Sequence, residues 1–184
     1  SVLRIPNVIG QNDDLADDAE WAMVENMVDQ ALAGLKKFRA DEGLVLRNDL
    51  LERIQYIENH LRDVGPYEAP RLERIKERLR KNMEEFVTNQ QVDQNRYEQE
   101  ILYYIEKLDI NEEKVRLGQH CVYFRKELDG NDPQKGRKLS FIAQEIGREI
   151  NTIGAKAQDP EIQQLVVMMK DELEKIKEQL ANIL

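Results

Sequence analysis

The amino-acid sequence predicts an all-α protein, from its composition and from the spacing of its apolar residues. The chain has 184 residues, of which only nine are Gly, five are Pro and four are Phe. Residues that favour helices, such as Glu, Lys, Arg, Gln and Leu, are abundant, and apolar residues recur three and four positions apart. We expect a long antiparallel helical hairpin followed by a small helical bundle whose terminal helix packs like a coiled coil.

The first predicted helix is very long and spans about residues 18–63. The Gly65–Pro66 pair ends it, and a second amphipathic helix follows. Because the link is short, we expect the two helices to run antiparallel over residues 18–90. We interpret Trp21 and His60, which lie in or beside the apolar stripe of the first helix, as packing residues. The stripe consists of Trp21, Val24, Val28, Ala31, Leu35, Phe38, Leu46, Leu50, Ile54, Ile57 and Leu61.

Residues 91–184 are predicted to form a C-terminal domain of shorter helices. Asp109 is expected to cap the second of them, and the turn-forming residues 129–133 end it. Gly154 can end the third. The apolar stripes of these two helices consist of Leu117, Cys121, Phe124 and Leu128, and of Leu139, Ile142, Ile146, Ile150 and Ile153.

The last predicted helix begins at Asp159 and Pro160, with Asp as the cap and Pro in the first turn. Its apolar residues alternate four and three positions apart, which is typical of a coiled coil within a chain or between subunits. These residues are Ile162, Val166, Met169, Leu173, Ile176, Leu180 and Ile183.

The net charge of −9 argues against a protein that coats nucleic acid with its whole surface. Residues 110–158 differ, since they contain nine Lys or Arg against seven Asp or Glu. A polyanion is therefore expected to bind there, although a helical surface of mixed charge can reach such a balance by chance.

The number of cysteines and the hydropathy of the chain indicate in which cellular compartment the protein is expected. Cys121 is the single cysteine, so the chain forms no internal disulfide, and its place in an apolar stripe favours a core thiol. No run of about eighteen apolar residues is present. We expect a cytoplasmic protein with no membrane partner.

Two predicted helices carry polar strips beside their apolar stripes. At about 100° per residue, Glu113, Arg116 and His120 fall on one border of the second C-terminal helix, and Glu145 and Glu149 on one border of the third. Carboxylates can hold a divalent cation that cleaves phosphodiesters, and His can bind a metal or transfer a proton. The alternative is that these groups form interhelical salt bridges.

Three segments of the C-terminal half resemble the YicC/YloC family. They are residues 95–120, with Asn95-Arg96-Tyr97-Glu98-Gln99-Glu100; residues 136–156, with Gly136-Arg137-Lys138-Leu139-Ser140-Phe141; and the closing residues 177–183. Upstream, residues 4–8 resemble the link that leaves the family's N-terminal α/β domain, so residues 1–17 are expected to be a linker from that missing domain. The chain departs from the family at Ser140, Gly147 and Ala155, where Asp, Asn and Ser are usual.

This resemblance implies a metal-dependent endoribonuclease that cleaves single-stranded or loop RNA and assembles into a ring-like homo-oligomer. It implies Mn²⁺ or Mg²⁺ as cofactor and RNA rather than DNA as partner. The catalytic candidates are His120, Glu145 and Glu149; the candidate metal ligands are Glu113, His120, Glu145 and Glu149; and the candidate RNA-binding residues are Arg116, Arg137, Lys138, Arg148 and Lys156. The alternative function is a non-catalytic helical module for oligomerisation, adaptor binding or RNA chaperoning.

Overall fold

The computed structural model describes residues 18–87, 94–130, 132 and 134–181, and within these ranges it contains helices and no strands. The side chains of residues 83–87 and 94–97 are outside this description. The prediction of an all-α fold is confirmed. The helices are α1 (Asp18–Asp63), α2 (Gly65–Val87), α3 (Gln94–Lys107), α4 (Asn111–Leu128), α5 (Lys135–Ala157) and α6 (Pro160–Ala181). The predicted linker over residues 1–17, and Ile183 at the end of the terminal stripe, lie outside the described residues.

The break between α1 and α2 occurs where Gly65 and Pro66 predict it. Val64 forms the turn, and its carbonyl accepts a hydrogen bond of 3.0 Å from the backbone N–H of Tyr67. Pro66 is tolerated because the first backbone N–H groups of a helix have no partner within it. The antiparallel pairing of α1 with α2 stays a prediction.

The chain divides into two compact units, residues 1–45 and 46–184. The described part of the first unit is a stretch of α1 in which every residue from 18 to 45 is exposed. Trp21 is 63% exposed, so it is not a packing residue within this chain. The spacing of apolar residues predicts which of them share one face of a helix. Only the tertiary structure shows whether another element covers that face.

The core of the second unit combines the C-terminal part of α1 with α4, α5 and α6. Ion pairs attach α1 at three points, since Arg53 lies 3.1 Å from Glu172 of α6, and Glu58 and Arg47 each lie 2.7 Å from a residue of α4 or its C-cap, Arg125 and Asp129. The predicted division at residue 90 stays a prediction, but one buried cluster contains residues from both sides of it. Its members include Leu50, Ile54, Ile57, Leu117, Phe124, Ile146, Ile150, Ile162, Met169 and Ile176. The predicted stripes of α4, α5 and α6 are buried throughout their described length.

Helix ends confirm one predicted cap and correct two predictions. The Asp159 carboxylate accepts 3.1 Å hydrogen bonds from the N–H groups of Glu161 and Ile162, so it caps α6 as expected. Asp109 instead bonds the N–H of Asn111 at 3.1 Å, while the cap position is Ile110. Asp109 thus forms a local turn one residue too early to cap the helix.

Gly154 does not end α5, which continues to Ala157 and ends at Gln158, a residue with φ of 48°. A Cβ atom on Gly154 would lie 3.0 Å from Cγ1 of Val166, and one on Gly147 would lie 3.1 Å from Cδ2 of Leu173. These two glycines allow α5 and α6 to approach closely. The glycine that the sequence assigns to helix termination is therefore a packing residue.

Arg71 attaches α2 to the C-terminal end of α5. Its buried guanidinium donates hydrogen bonds to the carbonyls of Ala157, of Lys156 at 2.8 Å and of Leu108 at 2.6 Å. These α5 carbonyls have no partner within the helix, so Arg71 satisfies them. Desolvation lowers the pKa of Arg71, although the nearby carboxylates Asp159, Glu68 and Asp109 oppose this effect.

Candidate functional site: the polar seam between α4 and α5

The α4 and α5 helices pack as an antiparallel pair with a row of charged contacts along one edge. Glu113 lies 2.7 Å from Lys156, Arg116 lies 3.3 Å from Glu149, and Glu127 lies 3.3 Å from Lys138. As the residue number rises along α4 it falls along α5, which is the register of an antiparallel pair. The two polar strips predicted from the sequence therefore meet. We call this row, with His120 and Glu145, the polar seam.

Two carboxylates of the polar seam are buried. The side chain of Glu113 is 4% exposed and that of Glu149 is 12% exposed. Arg116 lies between them, with Nη2 3.7 Å from Oε1 of Glu113 and Nε 3.3 Å from Oε2 of Glu149. Lys156 donates to Glu113 and also to the carbonyl of Asp109 at 3.0 Å. The positive charge that buried carboxylates require is thus supplied by two side chains of the protein.

One atom of this cluster is left without a partner. Oε2 of Glu113 is buried and accepts no hydrogen bond from any described residue. A buried carboxylate oxygen in this state costs stability, on the order of 1–3 kcal/mol.

His120 and Glu145 occupy the middle of the polar seam. His120 lies between Arg116 and Glu127 on α4, and Glu145 lies between Lys138 and Glu149 on α5. Both are half-buried, and among the described residues His120 makes no hydrogen bond or ion pair. Glu145 pairs with the exposed Arg148 at 2.7 Å. His120 is therefore the one predicted catalytic residue whose side chain has no hydrogen bond or ion pair in the described part of the chain.

The four predicted metal ligands do not gather into one centre within this chain. Across the described residues, no three His, Cys, Asp or Glu side chains lie close enough together to hold a metal ion. Arg116 stands between Glu113 and Glu149, where a shared cation would have to be. Of the groups for which the sequence left interhelical salt bridges open, Glu113, Arg116 and Glu149 form them, whereas Glu145 pairs with Arg148 of its own helix.

The five predicted RNA-binding residues differ in whether their side chains already form ion pairs. Arg116, Arg148 and Lys156 are paired with carboxylates of the polar seam. Lys138 contacts Asp132 and Glu127, and its hydrogen bond to Asp132 raises the pKa of Lys138 and lowers that of Asp132. Arg137 is exposed, with its guanidinium 5.8 Å from the ring centre of Phe141, and it forms no ion pair with any described residue.

A second cluster of basic residues was not predicted from the sequence. Arg71, Arg74 and Arg78 of α2 line a pocket of about 180 Å³ together with Ile75, Gln158 and Asp159. The signal in the sequence is the spacing of three and four between these arginines, which places them on one helical face. The apolar residues of α2 follow the same spacing on the adjoining face, so the sequence pattern was interpreted as core packing alone.

The described helices include none that is long and apolar enough to cross a membrane.

Comparison with known proteins identifies the family. Residues 64–184 match the family model described as "Endoribonuclease YicC-like, C-terminal". The chain is 35% identical to the "Probable endoribonuclease YicC" of Clostridioides difficile (strain 630), over 100% of this chain and 63% of that protein. It is 31% identical to the protein of the same name from Haemophilus influenzae, over 99% of this chain and 62% of that protein. The chain thus spans somewhat under two thirds of the length of these curated relatives. With the match covering α2 to α6, including the whole polar seam, this chain belongs to the YicC-like endoribonuclease family and contains its C-terminal region.

Proposed function

We propose that this chain is the helical part of an endoribonuclease that cleaves single-stranded or loop RNA, with its reactive groups along the polar seam. The observation that carries the proposal is the half-buried, uncommitted His120 beside the Arg116–Glu149 ion pair, inside the region that matches the endoribonuclease family. Two relatives named as probable endoribonucleases support the same activity.

Cleavage of a phosphodiester needs a group that takes a proton from the attacking oxygen and a positive group that holds the non-bridging oxygens. His120 takes the first role, because an imidazole can accept a proton near neutral pH. As the water oxygen bonds to phosphorus, the bond to the leaving oxygen breaks, and solvent protonates that oxygen. Glu145 pairs with Arg148 rather than with the imidazole, so it takes no part in this step.

Arg116 takes the second role. Its Nε lies 3.3 Å from the buried Glu149 and its Nη1 lies 3.2 Å from the exposed Glu112, and 44% of the side chain is exposed, so a phosphate reaches the guanidinium by displacing Glu112. A guanidinium positioned in this way can bind two phosphate oxygens in parallel. Glu149 is thus a positioning residue that acts through Arg116.

The divalent metal, Mn²⁺ or Mg²⁺, remains part of the proposal on the strength of the family resemblance alone. The residues of a single chain do not fit such a centre, since Arg116 separates the two buried carboxylates and no third ligand among the described residues lies close to them. Among the described residues of the seam, Oε2 of Glu113 is a fully buried carboxylate oxygen without a hydrogen bond.

The alternative is a non-catalytic helical module, such as an adaptor or an RNA chaperone. Charge pairing in the polar seam favours this alternative, because a strip of paired charges can join two helices without any catalytic role. The pairs link the buried Glu113 and Glu149 with Arg116 and Lys156. The half-buried imidazole of His120, which makes no hydrogen bond or ion pair with the described residues, favours the enzyme.

One experiment separates the two functions. The purified protein is incubated with a structured RNA alone, with Mn²⁺ and with EDTA, and the RNA ends are mapped on a gel. The endoribonuclease predicts internal cuts that His120→Ala abolishes and that the neighbouring, exposed Gln119→Ala leaves unchanged. Equal cleavage by both variants would move the reactive group elsewhere, and absence of cleavage under every condition would favour the helical module. Cuts that survive EDTA would remove the metal from the proposal.

A further inference from the structure

The pocket on α2 is lined by more positive than negative charge. It contains Arg71, Arg74 and Arg78 against the single carboxylate of Asp159, which gives a local charge of +2 in a chain of −9. We call this site the arginine pocket. Such a concentration of guanidinium groups around a small cavity attracts anions.

Asp159 neutralises only part of this charge. Its Oδ1 caps α6 through the N–H groups of Glu161 and Ile162, and its Oδ2 accepts from Arg74. Arg78 instead donates to the neutral Oε1 of Gln158 at 2.5 Å. The charge of Arg78 therefore has no carboxylate to balance it among the residues that line the pocket.

Arg71 gives the arginine pocket a rigid wall. Its Nε and Nη2 are held by three backbone carbonyls, and its Nη1 donates no hydrogen bond to any described residue. A guanidinium that is already ordered loses little conformational freedom when it binds a ligand. The pocket thus combines one fixed arginine with the more exposed Arg74 and Arg78.

Lys81 extends the basic row along α2. Arg71, Arg74, Arg78 and Lys81 are spaced three, four and three residues apart, so they lie on one face over a length of about 15 Å. Lys81 is exposed and forms no ion pair with any described residue. A row of this length suits an extended polyanion better than a single small ion.

We propose that the arginine pocket and Lys81 bind backbone phosphates of the RNA; this inference rests on the proposed function. The pocket adjoins one end of the polar seam, since Lys156 accepts a hydrogen bond from Arg71 through its carbonyl and donates one to Glu113 through its Nζ. A strand anchored at the pocket is therefore held near Lys156, at one end of the polar seam. Phosphate contacts of this kind fix the position of a strand without reading its sequence.

The test is a binding measurement in EDTA with a labelled single-stranded RNA oligonucleotide. The variant R78Q/K81Q removes two charges of the row while leaving Arg71 and Arg74 in place. The matched control is K126Q/K170Q, which removes two exposed lysines that pair with no described carboxylate. We expect R78Q/K81Q to bind about tenfold more weakly. We also expect its plot of log affinity against log salt to be flatter by about 1.4, since each phosphate of a single strand that a cation neutralises adds about 0.7 to the slope.

Several outcomes decide the proposal. Unchanged affinity of R78Q/K81Q, or an equal reduction in K126Q/K170Q, overturns it, as does wild-type protein that binds no RNA. Competition by polyglutamate as strong as by unlabelled RNA also overturns it, because the row would then select any polyanion. Two single variants guard against a folding defect: K81Q alone should weaken binding, and R78K, which keeps the charge, should weaken it less than R78Q. Wild-type protein that binds RNA at this row but never cuts it would sustain the phosphate site and overturn the nuclease.

Discussion

Arg116 of α4 contacts Glu149 of α5 at 3.3 Å and supplies the positive charge between two buried carboxylates. The sequence left two candidates for this position, an arginine or a metal ion. A positive group was required because carboxylates removed from water need compensation. Within one chain, that group is the guanidinium, with Lys156 as a second contributor.

Replacing Arg116 by Gln should lower the free energy of unfolding by about 2 kcal/mol, because two buried carboxylates are deprived of a charged hydrogen-bond donor. Arg116→Gln combined with Glu149→Gln should recover part of this stability, since one carboxylate is then neutral. Urea denaturation of the wild type, both single variants and the double variant measures the coupling. Purely additive effects would mean that the ion pair carries no interaction energy.

Replacing Gly154 by Ala should destabilise the protein by about 1 kcal/mol, because the added methyl group meets Cγ1 of the buried, β-branched Val166 at 3.0 Å and displaces it. Gly118→Ala is the control, since nothing lies within 4 Å of its Cβ position and alanine is the better helix former by about 0.5–1 kcal/mol. The midpoints of urea denaturation should therefore move in opposite directions. A shift of both in the same direction would contradict the close approach of the two helices.

Cys121 should react with a thiol reagent far more slowly in the folded protein than in urea at pH 8. Desolvation by burial, aided by Glu58, raises the pKa of this thiol to about 12, so almost none of the reactive thiolate is present. Because the folded pKa lies above the unfolded one, this contribution to stability is complete below about pH 8.5 and disappears as pH rises towards 12. The absorbance of the chromophore that the reagent releases gives the reaction rate. Equal rates in the folded and unfolded protein would contradict the burial of Cys121.

The exposed apolar stripe in residues 18–45 should make the protein self-associate. Large side chains such as Trp21, Leu35 and Phe38 are more than half exposed there, and such a contiguous stripe marks an interaction surface. Sedimentation equilibrium at micromolar concentration should show more than a monomer, and Leu35→Asp should reduce the association. Exposed Lys36→Asp is the control for the introduced charge. A clean monomer in the unmodified protein would contradict the prediction of a homo-oligomer.

The spacing of apolar residues and the helix-capping and helix-breaking residues predicted the positions of the helices well. The spacing of apolar residues predicted the bounds of α1 and the buried stripes of α4, α5 and α6, and Asp159 was recognised as a cap. These features depend on local backbone chemistry and on a repeat of about 3.6 residues, both of which are present in the sequence itself.

Other features depended on what lies opposite each residue in space. Glycine is a residue type that often ends helices, but Gly154 is a packing residue because Val166 lies across from it. Arg71 carried no apolar signal, yet it closes the end of α5 through two carbonyls that are 85 and 86 residues away in the chain.

The sequence by itself determined the all-α class, the family and the set of polar residues that border the apolar stripes. Only the tertiary structure decided which of those residues neutralise one another, leaving Arg116 between two glutamates and His120 uncommitted among its described neighbours. The reason is physical. A helical pattern fixes the angle at which a side chain leaves its own helix, whereas the charge that meets it depends on the register of a second helix, which is set by the packing of the whole core.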